Sequence, residues 1–354
     1  MLYKNFPEFL VLYQRGKAPY RNWDIQNLDM QHPHVNGNGL YLNVLGFNFF
    51  SSLGLLKIII FKRPTLLILG LGWNDIDALV IILLKKLRLT RAKIVFWSEA
   101  NYLTNGARKD NAIKRVFRRS VYNQSDFQAI SGRMTLDTLE RWGVKRKESI
   151  RLPNCIQEDV FSDIRPCPGM NKKILVLVAA RLVEPLKGII NFIDAIPQDR
   201  FKHIDIRVAG DGVDKAGLLS CVSERGLESC ITVMGELSPL QLASEMKVSD
   251  VFCLPSFSDP SPLVVNEALC AGLPLLISIH CGNHFECVRN YVNGVTFNPY
   301  DSEDIVRALD FIISNKIKLA DMGRSSRKIY NEQLSANKII CDFLSDVRKV
   351  VTER

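Results

Sequence analysis

The sequence predicts an α/β protein built from two doubly wound parallel sheets. First, apolar runs that suit strands covered on both faces alternate with segments that suit helices, which is typical of βαβ units. Second, the clearest run, Lys173–Ala180 (KILVLVAA), opens a regular series of strands and helices. Third, the chain has 354 residues, of which 47% are hydrophobic and 23% charged. That is too long for one ordinary core, so we expect two domains.

In the second half of the chain, predicted strands and helices follow one another with short turns. The predicted strands are Lys173–Ala180, His203–Ala209, Ile231–Met234, Val251–Leu254 and Leu275–Ser278. The predicted helices are Gly188–Ile196, Lys215–Arg225, Pro239–Met246 and Leu263–Ala271. This regularity favours a doubly wound sheet, whose ligands lie at the carboxyl ends of the strands.

The first half of the chain is similar but less regular. Its predicted strands are Phe9–Tyr13, Thr65–Leu71, Lys93–Trp97 and Phe127–Ile130, and its predicted helices are Asp75–Leu89, Arg115–Tyr122 and Met134–Trp142. The segment Gln31–Leu55 shows no clear period. We expect an N-terminal domain over residues 1–157, a C-terminal domain over 158–335, and a last helix in 336–354 that packs back on the first domain.

Charge is spread unevenly between the two halves. The net charge is +9, and residues 1–155 carry 24 Lys and Arg against 11 Asp and Glu. A basic half indicates an anionic partner. The basic clusters lie on helix-like segments. Two interpretations of these clusters stay open: they contact an anionic membrane surface, or they form an ordinary solvated face. Nucleic acid is not expected, because no aromatic and basic recognition module accompanies the charge.

Several features predict a cytoplasmic protein without a membrane span. The nine cysteines include no C-x-x-C pair, and several lie in apolar runs, so we expect reduced, mostly buried thiols. Met1–Glu8 has no apolar core that would suit a secretory signal, and Ala78–Leu84 is far shorter than the roughly 20 residues that a span needs. The histidines show no metal-ligand spacing.

Two carboxylates follow the predicted strand Val251–Leu254. Asp259 and Glu267 lie eight residues apart, and the predicted helix Leu263–Ala271 begins between them. A helix N-terminus offers free N–H groups and a positive dipole end, so a diphosphate there, a sugar near Asp259 and a ribose near Glu267 fit the spacing. A turn residue and a solvated helix carboxylate would leave the same pattern.

Two basic residues follow the strand Lys173–Ala180. Arg181 and Lys187 lie where fixed cations could hold a diphosphate and stabilise the charge that grows on a leaving phosphate. Taken alone, the two residues are better explained as an exposed arginine and a helix-start lysine. Gly210-Asp211-Gly212 is a weak glycine motif that also fits a plain turn.

Together and in order, these pieces become specific. The chain reads A-A-R-L-x5-G, A-G-D-G, V-M-G-E-L, S-D-V-F-C-L-P-S, D-x7-E-A-L-x-A-G-L-P, G-x3-E and N-G over Lys173–Leu309. It resembles the family 4 retaining glycosyltransferases (glycosyl transferases group 1) of the bacterial surface-polysaccharide type. The first half is a weaker match, carried by Pro19-Tyr20-Arg21, Trp97-Ser98-Glu99 and Pro153-Asn154.

The resemblance implies a GT-B fold, in which two Rossmann-like domains face a cleft, and a set of site residues. Arg181, Lys187 and Asp259 would form the catalytic group, with Asp259 standing where the family usually has a glutamate. The donor-binding residues implied are Glu267, Ser261, Leu263, Val264, Gly210, Val233 and Gly235. The acceptor-side residues are Arg15, Arg21 and Glu99. No metal or other cofactor is expected.

The resemblance also implies partners and a reaction. The chain would transfer a sugar from a UDP- or GDP-sugar to a glycan or lipid-linked acceptor in surface polysaccharide or lipopolysaccharide synthesis, at the inner face of the cell membrane. Two alternatives remain open. Asp259 is one methylene shorter than glutamate and Pro262 lacks an N–H, so a catalytically silent scaffold for a glycan or partner enzyme is the second hypothesis. A nucleotide-sugar epimerase ranks last.

Overall fold

The described residues form two larger parallel sheets, of six and four strands, and two smaller pairs of strands. The computed structural model describes residues 10–13, 32–36, 40–44, 47–51, 53–70, 75–104, 112–162 and 172–352. The strands are β1 (Val11–Tyr13), β2 (His34–Asn36), β3 (Leu40–Val44), β4 (Phe47–Ser51), β5 (Leu66–Leu69), β6 (Lys93–Ser98), β7 (Phe127–Ile130), β8 (Ser149–Arg151), β9 (Ile174–Ala179), β10 (Ile204–Ala209), β11 (Ile231–Gly235), β12 (Val251–Leu254), β13 (Leu275–Ser278) and β14 (Gly294–Phe297).

Helices connect most of these strands. They are α1 (Leu53–Lys62), α2 (Ile76–Lys86), α3 (Ala112–Tyr122), α4 (Arg133–Arg141), α5 (Glu158–Ser162), α6 (Glu184–Lys187), α7 (Ile189–Ala195), α8 (Lys215–Glu224), α9 (Pro239–Val248), α10 (Leu263–Ala271), α11 (His284–Cys287), α12 (Ser302–Ser314), α13 (Leu319–Gln333) and α14 (Ala336–Thr352). Short 3-10 helices span Gln198–Lys202 and Lys316–Lys318.

The C-terminal sheet has six parallel strands in the order β11-β10-β9-β12-β13-β14. Every residue of β9 is buried, because helices cover both faces of the sheet. Val176 and Val178 face one core with Ile193 of α7, and Leu177 faces the other with Leu269 of α10. The doubly wound sheet predicted from the sequence is confirmed, with the strand order of a dinucleotide-binding fold.

The N-terminal sheet has four parallel strands in the order β5-β6-β7-β8. Phe96 packs with Ile81 of α2 on one face. On the other face, Val95 packs with Phe343 and Val347 of α14, so the last helix of the chain contacts this sheet. Two further pairs of strands are separate, β1 with β2 in parallel and β3 with β4 in antiparallel orientation.

Most predicted elements exist, with ends that differ by one to three residues. Thr65–Leu71 is shortened to Leu66–Leu69, and Arg115–Tyr122 is extended back to Ala112. The sequence pattern missed β8 and β14, because neither short strand carries a long apolar run. It also left Gln31–Leu55 unplaced, a segment that includes β2, β3 and β4.

Candidate functional site

The two predicted cation and carboxylate motifs meet at one point of the six-stranded sheet. Strands β9 and β12 are adjacent but run into connections on opposite sides, so the strand order switches between them. Ligands of open α/β sheets bind outside the carboxyl ends of the strands at such a switch point. The segment after β9 carries Lys187, the segment after β12 carries Asp259, and the two side chains form an ion pair.

The Lys187–Asp259 pair is largely shielded from water. The two side chains are 15% and 13% exposed. Lys187 ends the single turn α6, and Gly188 follows with a φ of 60°. A Cβ at Gly188 would lie 2.9 Å from the Pro255 carbonyl oxygen, so only glycine allows this turn to lie against the segment after β12. The Ser258 N–H donates to the Leu186 carbonyl at 3.0 Å and links the same two segments.

Glu184, which sequence reasoning missed, fixes the turn that carries Lys187. Its carboxylate accepts hydrogen bonds from the N–H groups of Ile190 and Asn191, each at 2.9 Å, and so caps the start of α7. The Glu184 N–H donates to Asp214 at 2.7 Å. Burial raises the pKa of the Glu184 carboxyl, and the backbone donors counteract this. The only signal in the sequence for this role was that Glu184 stands three residues before the Lys187-Gly188 pair.

The glycine motif is a site of close backbone contact. Gly210 has a φ of 146°, and a Cβ there would lie 1.8 Å from the Ala180 carbonyl oxygen. The Gly210 N–H donates to the Gly235 carbonyl at 2.7 Å, which joins the end of β11 to this turn. Arg181 is exposed beside it. The predicted donor residues Gly210, Gly235 and Arg181 therefore lie together at the carboxyl edge, next to Val233 in β11.

The start of α10 lies beside the ion pair. Leu263 and Val264 form the first turn, whose N–H groups have no partner within a helix. Ser261 and Pro262 directly precede this turn. Among the described residues, no side chain caps this end of the helix. The positive end of the helix is thus available to an anion at the switch point.

Glu267 lies one turn further along α10. It is half-buried, and no hydrogen bond or ion pair holds its carboxylate among the residues that the structure describes. Burial raises the pKa of this carboxyl to about 7. A carboxylate held without partners is suited to accept hydrogen bonds from a ligand hydroxyl.

The carboxyl edge of the N-terminal sheet faces this site. Glu99 follows β6 and accepts a hydrogen bond from the Asn154 side chain. A cavity of about 300 Å³ lies beside them, lined by Trp97, Asn154 and neighbouring residues. The other predicted acceptor-side residues, Arg15 and Arg21, lie outside the described residues.

Asn101 is the second residue that sequence reasoning missed. Its side chain is 3% exposed and donates to the carbonyl oxygens of Asp259 at 3.3 Å and His280 at 3.0 Å. Asn101 thus reaches from the N-terminal sheet to the segment that carries Asp259. A polar residue shortly after a strand end was its only signal in the sequence.

The histidines and cysteines of the site have structural roles. The Nδ1 atom of His280 bonds the Phe257 carbonyl at 2.8 Å, and that of His284 bonds the Cys281 carbonyl at 2.7 Å. Within the described part of the chain, no three His, Cys, Asp or Glu side chains are grouped to hold a metal ion. The eight described cysteines are free thiols. Four of them are buried, whereas the sequence predicted that most would be.

Comparison with known proteins shows a family to which part of the chain is similar. The model named glycosyl transferases group 1 matches residues 162–329. The match covers 168 of the chain's 354 residues, so this region is similar to the glycosyl transferases group 1 family. A D-inositol 3-phosphate glycosyltransferase of Gordonia bronchialis is 25% identical to it over 194 residues, covering 52% of this chain and 42% of that protein. The chain therefore spans less than half the length of this relative.

Solved structures show that the chain has the GT-B fold that the resemblance implied. HepE of Anabaena, solved with UDP, superposes with a TM-score of 0.72 at 17% identity, covering 96% of this chain and 98% of that one. The lipopolysaccharide outer core galactosyltransferase WaaB, in its apo form, gives a TM-score of 0.70 at 16% identity, covering 90% and 85%. Among the described residues, no helix is both long and apolar enough to cross a membrane.

Proposed function

We propose that this chain is a retaining glycosyltransferase that moves a sugar from a UDP- or GDP-sugar to a glycan or lipid-linked acceptor. The acceptor would be an intermediate of surface polysaccharide or lipopolysaccharide synthesis, at the inner face of the cell membrane. The observation that carries the proposal is the shielded Lys187–Asp259 pair beside the open N-terminus of α10, at the switch point of the sheet.

This arrangement suits a nucleoside diphosphate and its sugar. The α10 N-terminus and the Leu263 and Val264 N–H groups would bind the diphosphate, with Arg181 and Lys187 neutralising it. A diphosphate would draw Lys187 away from Asp259 and leave that carboxylate to accept hydrogen bonds from sugar hydroxyls. Glu267 would accept from the ribose hydroxyls, and the end of β11 would flank the base.

The reaction needs no separate protein base. The bond between the anomeric carbon and the β-phosphate oxygen breaks, and the acceptor oxygen bonds the same carbon on the same face. The acceptor proton passes to the leaving phosphate. Lys187 stabilises the charge that develops on that phosphate, which is where fixed cations lower a barrier most. We expect transfer to proceed in EDTA, because none of these steps needs a metal.

The acceptor is proposed to lie on the N-terminal sheet. Glu99 would accept a hydrogen bond from it, and the cavity beside Trp97 gives room for an apolar or ring-shaped group. The fold is shared with the lipopolysaccharide galactosyltransferase WaaB, which supports a glycan acceptor by analogy.

The first experiment is thermal unfolding with UDP, GDP, ADP, TDP and CMP. A ligand at about 100 times its dissociation constant adds about 2.7 kcal/mol to the free energy of unfolding, which raises Tm by a few degrees. We expect one diphosphate to raise Tm in the wild type but not in Lys187→Ala or Glu267→Ala. No rise with any nucleotide would contradict the proposal.

A silent scaffold is the second candidate. Two observations favour it: Asp259 is already paired with Lys187, and Pro262 at the start of α10 supplies no N–H. This function would give a nucleotide-dependent rise in Tm without turnover of any nucleotide sugar across a broad donor and acceptor panel. Turnover of one donor excludes it.

A further inference from the structure

A carboxylate from one half of the molecule caps a helix of the other half. Glu286 lies in α11, between strands β13 and β14 of the six-stranded sheet, and its Oε1 accepts a hydrogen bond of 2.8 Å from the Arg133 N–H at the start of α4. Gly132, the residue before α4, provides no side-chain cap of its own. The helix end is therefore satisfied by a residue 153 positions away.

Gly132 makes room for this carboxylate. A Cβ at Gly132 would lie 2.7 Å from the Glu286 carboxyl carbon, and its three nearest atoms are all in that carboxylate. The φ of Gly132 is 177°, an extended conformation that any residue adopts. The backbone therefore does not require glycine here, and contact with Glu286 is the constraint.

The carboxylate of Glu286 is half-buried and lies near two guanidinium groups. The second oxygen of Glu286 is buried without a hydrogen-bond partner among the described residues. Burial raises the pKa of the carboxyl, while the Arg133 N–H and the guanidinium groups of Arg151 and Arg289 lower it. A carboxylate in this position stabilises the positive helix end only while the two halves stay together.

Asn101 makes a second contact across the cleft. Its carboxamide, after β6, donates to two carbonyl oxygens of the segments after β12 and β13, and one of them belongs to Asp259. The Asn101 Oδ1 accepts from the Leu103 N–H at 2.9 Å, which fixes the orientation of the side chain. Both contacts therefore join the acceptor-side sheet to the segments that follow strands of the donor-side sheet.

We propose that Glu286 and Asn101 are positioning residues that hold the two sheets together across the cleft, so that the acceptor meets the Lys187–Asp259 site. This inference rests on the proposed function for its effect on transfer, but the contact itself does not. Neither side chain is assigned a role in binding the diphosphate, so nucleotide affinity and cleft closure are separable.

The test compares Glu286→Ala, Gly132→Ala and the double variant. Each single variant should increase the radius of gyration measured by X-ray scattering and lower kcat about 10-fold or more, because misplacement of about 1 Å is costly for a transfer step. Affinity for the diphosphate that stabilises the wild type should stay unchanged. The double variant should match Glu286→Ala, because the methyl group added at position 132 then meets no carboxylate.

Asn101→Asp provides an independent variant with nearly the same shape. It replaces the N–H donor with an oxygen that faces two carbonyl oxygens, so it should open the cleft in the same way. Glu303→Ala, which removes an exposed carboxylate in the first turn of α12, is the matched control and should change neither quantity.

The outcomes separate the two proposals. An unchanged radius of gyration in Glu286→Ala and Asn101→Asp, or additive effects of Gly132→Ala and Glu286→Ala, would overturn the positioning role. Loss of nucleotide affinity without any change in radius would overturn it too, because Glu286 would then belong to the donor site. An expanded radius in a protein that binds no nucleotide would leave the cross-cleft contact supported and the transferase function rejected.

Discussion

Lys187 and Asp259 compensate each other's charge in a place where neither would be stable alone. Both side chains are less than one-fifth exposed, and an uncompensated charge at such a position is costly. The pair is thus a structural contact of the free protein. In the proposed function, the same two side chains also bind the donor substrate. A diphosphate would then replace the carboxylate as the partner of Lys187, so charge would stay balanced while Asp259 became available to the sugar.

Removing Lys187 should lower the free energy of unfolding, because Asp259 is left unpaired, and should lower the rate of transfer as well. We expect Lys187→Ala to lower kcat about 100-fold or more, because a fixed cation at the leaving phosphate is lost. The control is Lys173→Ala, which breaks a pair with Asp205 at the opposite end of β9. Initial rates with the donor found by thermal screening check this, and equal rates in both variants would reject the assigned role of Lys187.

Glu267 should make stability depend on pH. The pKa of its carboxyl is about 7 in the folded protein, whereas the ordinary pKa is 4.5. The folded state therefore binds more protons than the unfolded state between these values, so stability falls as pH rises through this window. Glu267→Gln removes the effect, and its Tm should gain a few degrees on the wild type between pH 5 and pH 8.

The check on Glu267 is a pair of melting curves for each protein at pH 5 and pH 8, without nucleotide. Glu303→Gln, at an exposed position, should follow the wild type at both pH values. A Glu267→Gln curve parallel to the wild type would mean that the carboxyl titrates at its ordinary pKa.

Among the elements, the turn after β10 brings the ends of neighbouring strands of the six-stranded sheet together. Gly210 lets this turn pass against Ala180 while its N–H reaches the end of β11, so three strand ends meet at one edge. A side chain there has no space and the wrong backbone conformation.

Gly210→Ala should destabilise the protein by about 3 kcal/mol or more, through a strained φ and a clash with backbone. The matched control is Gly217→Ala, on the exposed side of α8, where a Cβ meets only Ile190 at 3.5 Å. That change should stabilise the helix by about 0.5–1 kcal/mol. Thermal melts compare the two, and similar Tm values would contradict the role given to Gly210.

For the molecule as a whole, we propose that the basic first half carries an interaction with anionic membranes. On α3, Val116 and Phe117 are exposed next to exposed Arg115 and Arg119. Apolar and basic groups on one helix favour adsorption to anionic lipid. We expect binding to phosphatidylglycerol vesicles but not to phosphatidylcholine vesicles.

Charge reversal tests this expectation. Arg115→Glu with Arg119→Glu should lower sedimentation with phosphatidylglycerol vesicles about 10-fold or more, since each basic residue near the surface contributes about 1 kcal/mol. Arg324→Glu with Lys328→Glu, on exposed positions of α13, is the control. Equal binding by both double variants would show that α3 does not carry the interaction.

The sequence by itself determined the doubly wound fold and most of the elements, and it predicted the donor-side residues. Long apolar runs such as that of β9 specify buried strands through their own composition, and Asp259, Glu267, Arg181 and Lys187 all come soon after strand ends. The sequence did not predict short strands such as β8 and β14, because their burial comes from neighbouring elements and not from an apolar pattern of their own.

Tertiary structure alone decided which of these residues touch. Lys187 and Asp259 are 72 positions apart, Asn101 and Asp259 158, and Arg133 and Glu286 153. Local periodicity reports only on residues within a few turns of one another. It therefore did not predict the caps made by Glu184 and Glu286 or the hydrogen bonds that Asn101 makes across the cleft. Such contacts depend on how two sheets meet, which is set by packing over the whole chain and not by any one segment.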